Sequence, residues 1–177
     1  HKGESVVYGD TDSVYFTAFK TLEKEIKDGV IPWTKDSVVS LYDKISDEVN
    51  GSFKAFMTKA FHTPSTRGEV IAAGRELVAS KGLFITKKRY AVLYYDKEGK
   101  RTDIEGKEGK MKAMGLDLKR SDTPVFVQDF LSEVLYMVLT GKDEKEVLDR
   151  ISEFRAEFKA RPGWEKGSPK RANNMTK

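Results

Sequence analysis

Residues 5–18 read SVVYGDTDSVYFTA, two short β-branched and aromatic runs separated only by Gly9-Asp10-Thr11-Asp12. Ser5–Tyr8 and Ser13–Thr17 have strand composition, and so brief a polar interruption sends the chain straight back on itself. The segment predicts a β-hairpin whose tip carries Asp10 and Asp12. Two carboxylates held together repel unless a cation lies between them. Mg²⁺ suits such a pair, because it takes one or two carboxylates and completes its shell with water and substrate phosphates. Gly9 lets the backbone approach a ligand closely. An EF-hand loop is excluded, because Val14 stands where a third ligand would be needed.

A polar segment broken by Gly29 and Pro32 follows, then a helix expected from Thr34–Asp36 onward. Val38, Leu41, Tyr42, Ile45, Val49, Phe53, Phe56 and Met57 recur at steps of three or four and predict one buried stripe. Gly51 costs about 1 kcal/mol relative to Ala inside a helix, so a kink or break is expected there. A loop is expected over His62–Gly68, and strands over Glu69–Ala73, Glu76–Ala79 and Tyr90–Tyr95. Between the last two, Ala79–Phe84 reads as a compact turn. Further turns are expected over 96–100 and 105–110, with a short strand over Met111–Leu118. Thr123-Pro124 predicts a helix start with a hydroxyl cap, and Gly141 its end. Asp143 and Glu146 have capping-box spacing for a second helix, closed by Arg161-Pro162-Gly163. The chain from Trp164 onward reads as a frayed basic tail. The order predicts an α+β fold, antiparallel strands first and a helical pair last.

Charge is uneven. Residues 81–120 hold 12 basic and 6 acidic side chains, residues 121–158 hold 4 and 9, and residues 159–177 hold 6 and 1. Two basic blocks therefore flank an acidic one, a pattern that suits a polyanion such as nucleic acid. The absence of cysteine excludes disulfides, thiolate metal sites and cysteine nucleophiles, and suits a reducing cytoplasm. No apolar run reaches membrane-spanning length and no export signal is visible, so neither membrane association nor secretion is expected.

Four motifs stand in one order: Tyr8-Gly-Asp-Thr-Asp-Ser13, Arg75-Glu-Leu-Val-Ala79, Lys87-Lys-Arg-Tyr90, and Met111-Lys-Ala-Met-Gly-Leu116 with Arg120-Ser-Asp-Thr-Pro124. Together they resemble the distal palm and the palm-to-thumb junction of family B DNA polymerases, most closely the T-even-phage-like branch. The likeness runs from residue 5 to about 160. It implies an antiparallel palm-type sheet with a packed helix over residues 1–120 and a helical thumb base over residues 121–177. It also implies DNA-directed DNA polymerase activity, joining a dNTP to a primer 3′-hydroxyl with two Mg²⁺ ions.

By this resemblance Asp12, with Asp10 beside it, is catalytic and ligates the metals, and Glu76 is the candidate third carboxylate, with Glu69 as its substitute. Lys88 reads the minor groove at the primer terminus, and Lys87, Arg89 and Tyr90 meet backbone phosphate or sugar. Tyr8 lies near the primer phosphate. Ser121 and Thr123 touch phosphates at the thumb base. Lys119 and Arg120, with Lys110 and Lys112, extend the basic surface.

The family's earlier palm motif, whose Asp bridges the two ions, is absent here, as are the fingers and exonuclease motifs. The chain is therefore expected to be a fragment, inactive alone, that shares its Mg²⁺ ions with an upstream Asp. Expected partners are primer–template DNA, dNTP, the missing N-terminal polymerase portion, a sliding clamp and replisome proteins. The expected setting is the cytoplasm of a phage-infected bacterium. Two alternatives stay open: a non-catalytic duplex-binding half of a split polymerase, and a dehalogenase-type Mg²⁺ phosphatase.

Overall fold

The hairpin forms as expected: β1 (Val6–Asp10) and β2 (Ser13–Phe16) pair antiparallel around the two-residue turn Thr11–Asp12. Asp10 faces Ser13 and Gly9 faces Val14, while the register shifts between Val6 and Tyr8. The structure, a computed structural model, describes residues 5–104, 106–120 and 122–167, and of Lys119 only the backbone. It divides into two units. One takes the described residues up to Val78 together with Tyr95–Arg101, and the other takes Ala79–Tyr94 together with those from Thr102 on. The expected boundary at residue 120 falls inside the second unit.

In the first unit the polar segment after the hairpin is a helix, α1 (Phe19–Lys27), a correction to the sequence reading. Five of its nine residues are charged, which masks the apolar spacing of Phe19, Leu22 and Ile26. Phe19 packs edge-on against Trp33 at 5.4 Å. Helix α2 (Lys35–Phe61) begins where expected, capped reciprocally by Thr34 and Ser37. It runs unbroken through Gly51, because the propensity cost of one glycine is small beside a 27-residue ladder. The predicted stripe is covered only in part. Val38 is buried against Val78 and Tyr95, whereas Val49 and Phe56 remain 39% and 55% exposed.

A 3-10 turn, Ser65–Val70, runs from the expected loop into the start of the first expected strand, Glu69–Ala73, which does not form, and it lies against α2 at Gly68. A Cβ at Gly68 would sit 2.7 Å from the Lys54 Cα. Gly68→Ala is expected to destabilise the protein by about 2 kcal/mol, read by urea unfolding; an unchanged midpoint would contradict this contact. Residues 71–76 belong to no strand. The Ala73 backbone is satisfied from α2 instead: Asn50 both accepts from its amide (2.6 Å) and donates to its carbonyl (3.0 Å), and Ser46 donates to the same carbonyl.

β3 spans Leu77–Thr86, so the turn expected at Ala79–Phe84 is strand. Lys81-Gly82 looks like a turn locally, but pairing with β4 (Arg89–Lys97) overrides that preference. Along β4, Tyr90, Ala91, Val92 and Leu93 in the second unit and Tyr95 and Asp96 in the first are all at most 6% exposed. Successive residues on a strand point to opposite sides, so β4 is covered on both faces. β4 turns through Glu98-Gly99, both at positive φ, into β5 (Lys100–Arg101).

In the second unit β4 also pairs antiparallel with β6 (Lys110–Met114), from Tyr90↔Met114 to Tyr94↔Lys110. Ala91, Leu93, Ala113, Leu118 and Leu139 form its core. Helix α3 (Val125–Thr140) starts one residue later than expected, with Pro124 as its cap and no hydroxyl bond from Thr123. The Gln128 side-chain amide ties the first turn back to the preceding segment, donating to the Thr123 and Arg120 carbonyls at 2.8 and 2.9 Å. Gly141 closes α3 in the left-handed conformation, and the Asp143–Glu146 box opens α4 (Glu144–Ala160), both as expected. A short helix, α5 (Gly163–Lys166), occupies the start of the expected tail.

Between α3 and α4, Phe130 and Phe154 stack at 3.7 Å, and Arg150 holds Glu133 in a fork at 2.9 and 3.0 Å. That hydrogen bond, and then the charge of Arg150, outweigh burial and hold the Glu133 carboxyl below its ordinary 4.5. A depressed carboxyl stabilises the fold above its unfolded value, and the contribution is lost as pH falls through the folded one. The stability difference between wild type and Glu133→Gln should therefore be largest above pH 4.5 and close on acidification, measured by urea unfolding at several pH values. A gap that stays constant with pH would argue against it.

Candidate metal and nucleic-acid sites

At the hairpin tip, Asp10 closes β1 and is half-buried, whereas Asp12 is exposed in the turn. Asp10 accepts from the Thr11 amide at 2.9 Å, the Thr11 hydroxyl at 3.3 Å and the Tyr8 hydroxyl at 3.4 Å. The Tyr8 ring in turn leans on Tyr15 at 6.2 Å. One carboxylate is thus oriented by its own strand, and the other is presented to solvent. A Cβ at Gly9 would meet nothing nearer than the Ser13 carbonyl at 3.8 Å, ordinary contact, so the hairpin itself makes no demand for glycine there.

Among the described residues no three acidic or histidine side chains gather as a metal-holding group. Glu76 is therefore not brought into one ligand set with Asp10 and Asp12. It lies exposed just before β3, and its carbonyl accepts from the Glu98 amide at 2.9 Å. Glu69 is held by Lys54 at 2.7 Å, whose hydrogen bond and charge keep that carboxyl below its usual range.

Arg75, named in the sequence only as a motif neighbour, is engaged by two carboxylates of the first unit. It reaches Asp43 and Asp96, each at 2.5 Å, and Asp96 is only 2% exposed. Burial lowers the Arg75 pKa, but the bonds to both carboxylates outweigh it and raise the value overall. Nothing in the local sequence marks this group, because its partners lie 32 and 21 residues away.

In the second unit, Lys87-Lys88 form the whole turn between β3 and β4. Lys87, Lys88 and Arg89 are exposed, and Lys88 sits at φ 63°, in the left-handed region. Tyr90 is 6% exposed and stacked on Phe84 at 5.6 Å, so its ring belongs to the packing beneath the turn. Arg120 is exposed but occupied, bonded to Asp122 at 2.7 and 2.9 Å with Asp117 at 3.6 Å. Those carboxylates push its pKa still higher. Thr123 is half-buried, Ser121 lies outside the described residues, and Lys119 is placed by its backbone alone in a short 3-10 turn.

A sequence model described as DNA polymerase family B matches residues 67–162, more than half of the chain. The chain belongs to DNA polymerase family B. The match takes in the Lys87–Tyr90 turn, β6, α3 and α4, while the carboxylate hairpin precedes it. Among family relatives, a DNA-directed DNA polymerase of Escherichia phage RB69 is 33% identical over 150 residues, which is 78% of this chain and 16% of the relative. A DNA polymerase of Invertebrate iridescent virus 6 is 28% identical over 152 residues, 85% of this chain and 11% of the relative. A DNA-directed DNA polymerase of Enterobacteria phage T4 is 27% identical over 163 residues, 87% of this chain and 17% of the relative. The chain thus spans less than a fifth of the length of these relatives. No helix among the described residues is long and apolar enough to cross a membrane.

Proposed function

We propose that this chain is a distal-palm and thumb-base portion of a DNA-directed DNA polymerase. In it, Asp12 and Asp10 supply carboxylates to the catalytic ions, and Lys87–Arg89 contact the primer–template duplex. The observation that carries the reading is the placement of both carboxylates at the tip of a two-residue hairpin in a family B chain. The donor set fits Mg²⁺: two hard oxygen ligands, one of them pre-oriented, leaving the remaining positions for water, substrate phosphates and a carboxylate from elsewhere. When bound, such ions lower the pKa of the primer hydroxyl and neutralise the triphosphate.

The chain's own contribution is positioning. The Tyr8 and Thr11 donors hold Asp10, and Gly9 leaves the strand bare where substrate would approach. The exposed apolar residues of the hairpin, Val6, Val7 and Val14 at 49–59%, suit a sheet completed by the upstream polymerase portion. Lys88 donates to minor-groove acceptors common to all correct pairs, and Lys87 and Arg89 neutralise phosphates. Any duplex contact by Tyr90 is confined to the 6% of its surface that remains exposed. Arg120 can reach a phosphate only by exchanging its bonds to Asp117 and Asp122. Glu76, Thr123, Ser121 and Lys119 keep supporting roles in this reading, and a sliding clamp remains a partner of the complete protein.

A dehalogenase-type phosphatase is not favoured, since the strand pairings described for β1–β2, β4–β5 and β4–β6 are all antiparallel. The test is reconstitution. The chain, joined to a polypeptide carrying the missing palm and fingers motifs, should extend a primer with dNTP and Mg²⁺. Hydrolysis of a small phosphoester by the chain alone, without extension on joining, would overturn the reading.

A further inference from the structure

We infer that Gly115 is a positioning residue for Lys88, and that its bare backbone sets the direction in which the Lys88 side chain leaves its turn. The inference rests on the reading of Lys88 as a minor-groove contact. Gly115 follows β6, and the pairing Tyr90↔Met114 places it beside Arg89, at the mouth of the Lys87-Lys88 turn. It lies at φ 64°, and Lys88 lies at φ 63°. A Cβ at Gly115 would stand 2.0 Å from the Lys88 carbonyl oxygen and 3.1 Å from its carbonyl carbon. The Gly115 carbonyl also accepts a hydrogen bond from Arg89 Nε at 3.2 Å.

Two independent contacts therefore converge on one peptide. The Gly115 backbone presses against the Lys88 carbonyl, and the next side chain along the turn grips Gly115 in return. A lysine at positive φ persists only where its surroundings over-determine it. Here those surroundings are the β3–β4 turn on one side and Gly115 on the other. Because the Lys88 backbone conformation sets where its Cα–Cβ bond starts, a shift of its carbonyl re-aims the side chain without removing its charge. Charge alone would survive such a shift, whereas a directional hydrogen bond would not.

The test reads direction rather than charge. The chain carrying its upstream palm and fingers portion is bound to a recessed primer–template with either adenine or 3-deazaadenine at the primer terminus. The analogue keeps the pairing edge and lacks the minor-groove N3 acceptor. For wild type, removal of N3 is expected to weaken binding about fivefold, the worth of one hydrogen bond. In Lys88→Ala and in Gly115→Ala the ratio of the two affinities is expected to fall to about one. Phosphate contacts cancel in this ratio, so a general loss of stability or charge does not move it.

If wild type or Lys88→Ala shows otherwise, so that N3 is not read through Lys88, the reading of Lys88 fails and the inference with it. If Lys88→Ala loses the discrimination and Gly115→Ala keeps it in full, only the positioning role is overturned. Should Gly115→Ala not fold, Arg89→Met removes the bond to the Gly115 carbonyl with the glycine intact. An unchanged ratio in that variant overturns the role, and a reduced one supports it.

Discussion

Asp12→Asn should lower primer extension by the reconstituted polymerase by roughly 10²–10³-fold, without altering the fold. Asp12 is exposed at a two-residue turn. Asparagine suits such positions as well as aspartate does, so the hairpin should persist. What disappears is the negative charge that a divalent ion needs, since an amide oxygen is a weaker ligand for a hard cation. The defect should therefore be partly relieved by raising Mg²⁺, while the thermal midpoint stays at the wild-type value. Asp10→Asn tests a different link. It weakens the acceptor that orders Thr11 and Tyr8, so activity and local order should fall together. Rapid-quench extension with each variant checks both. Wild-type rates for Asp12→Asn would remove this carboxylate from the reaction.

Asp96→Leu should destabilise the protein by about 3 kcal/mol, the cost of stranding a buried charge. Asp96 is 2% exposed and accepts from both Arg75 (2.5 Å) and the Gly99 amide (3.1 Å), so its loss frees an ion pair and a turn together. Arg75 would keep only Asp43, whose side chain is 51% exposed and screened by water, which holds the estimate at the low end. Replacing both partners, Arg75→Met with Asp96→Leu, should recover most of the loss, because neither charge then needs a partner. Urea unfolding of the two single variants and the double one forms the cycle that measures it. If the double variant were as unstable as the sum of the singles, the two residues would not be acting as a pair.

How much of this was legible in the chain depends on the range of the interactions involved. The hairpin at residues 5–18, the Thr34 start of α2, the Gly141 stop of α3 and the Asp143–Glu146 box rest on neighbours within a few positions, and all appear where expected. Helix α1 was hidden by its five charges, and β3 by the turn-like Lys81-Gly82 that pairing with β4 straightens into strand. The lower part of the α2 stripe stays partly open to solvent: periodicity shows which face is apolar, not whether anything covers it.

The candidate site divides along the same line. Residue order alone determined that two carboxylates stand at a hairpin tip, that a basic turn follows some 75 residues later, and that the chain resembles a polymerase family. These are local chemistry and spacing, which survive without any knowledge of packing. Tertiary structure alone decided that Arg75 is spent on Asp43 and Asp96, that Arg120 is held by Asp117 and Asp122, and that the Tyr90 ring lies under its turn. It also decided that Lys88 is bent into the left-handed region against Gly115. Each of these depends on groups brought together across 2 to 32 positions, and on which side chain is closest once the backbone has folded. A list of charged residues cannot distinguish a cation free to meet a phosphate from one already neutralised, because that difference is a distance.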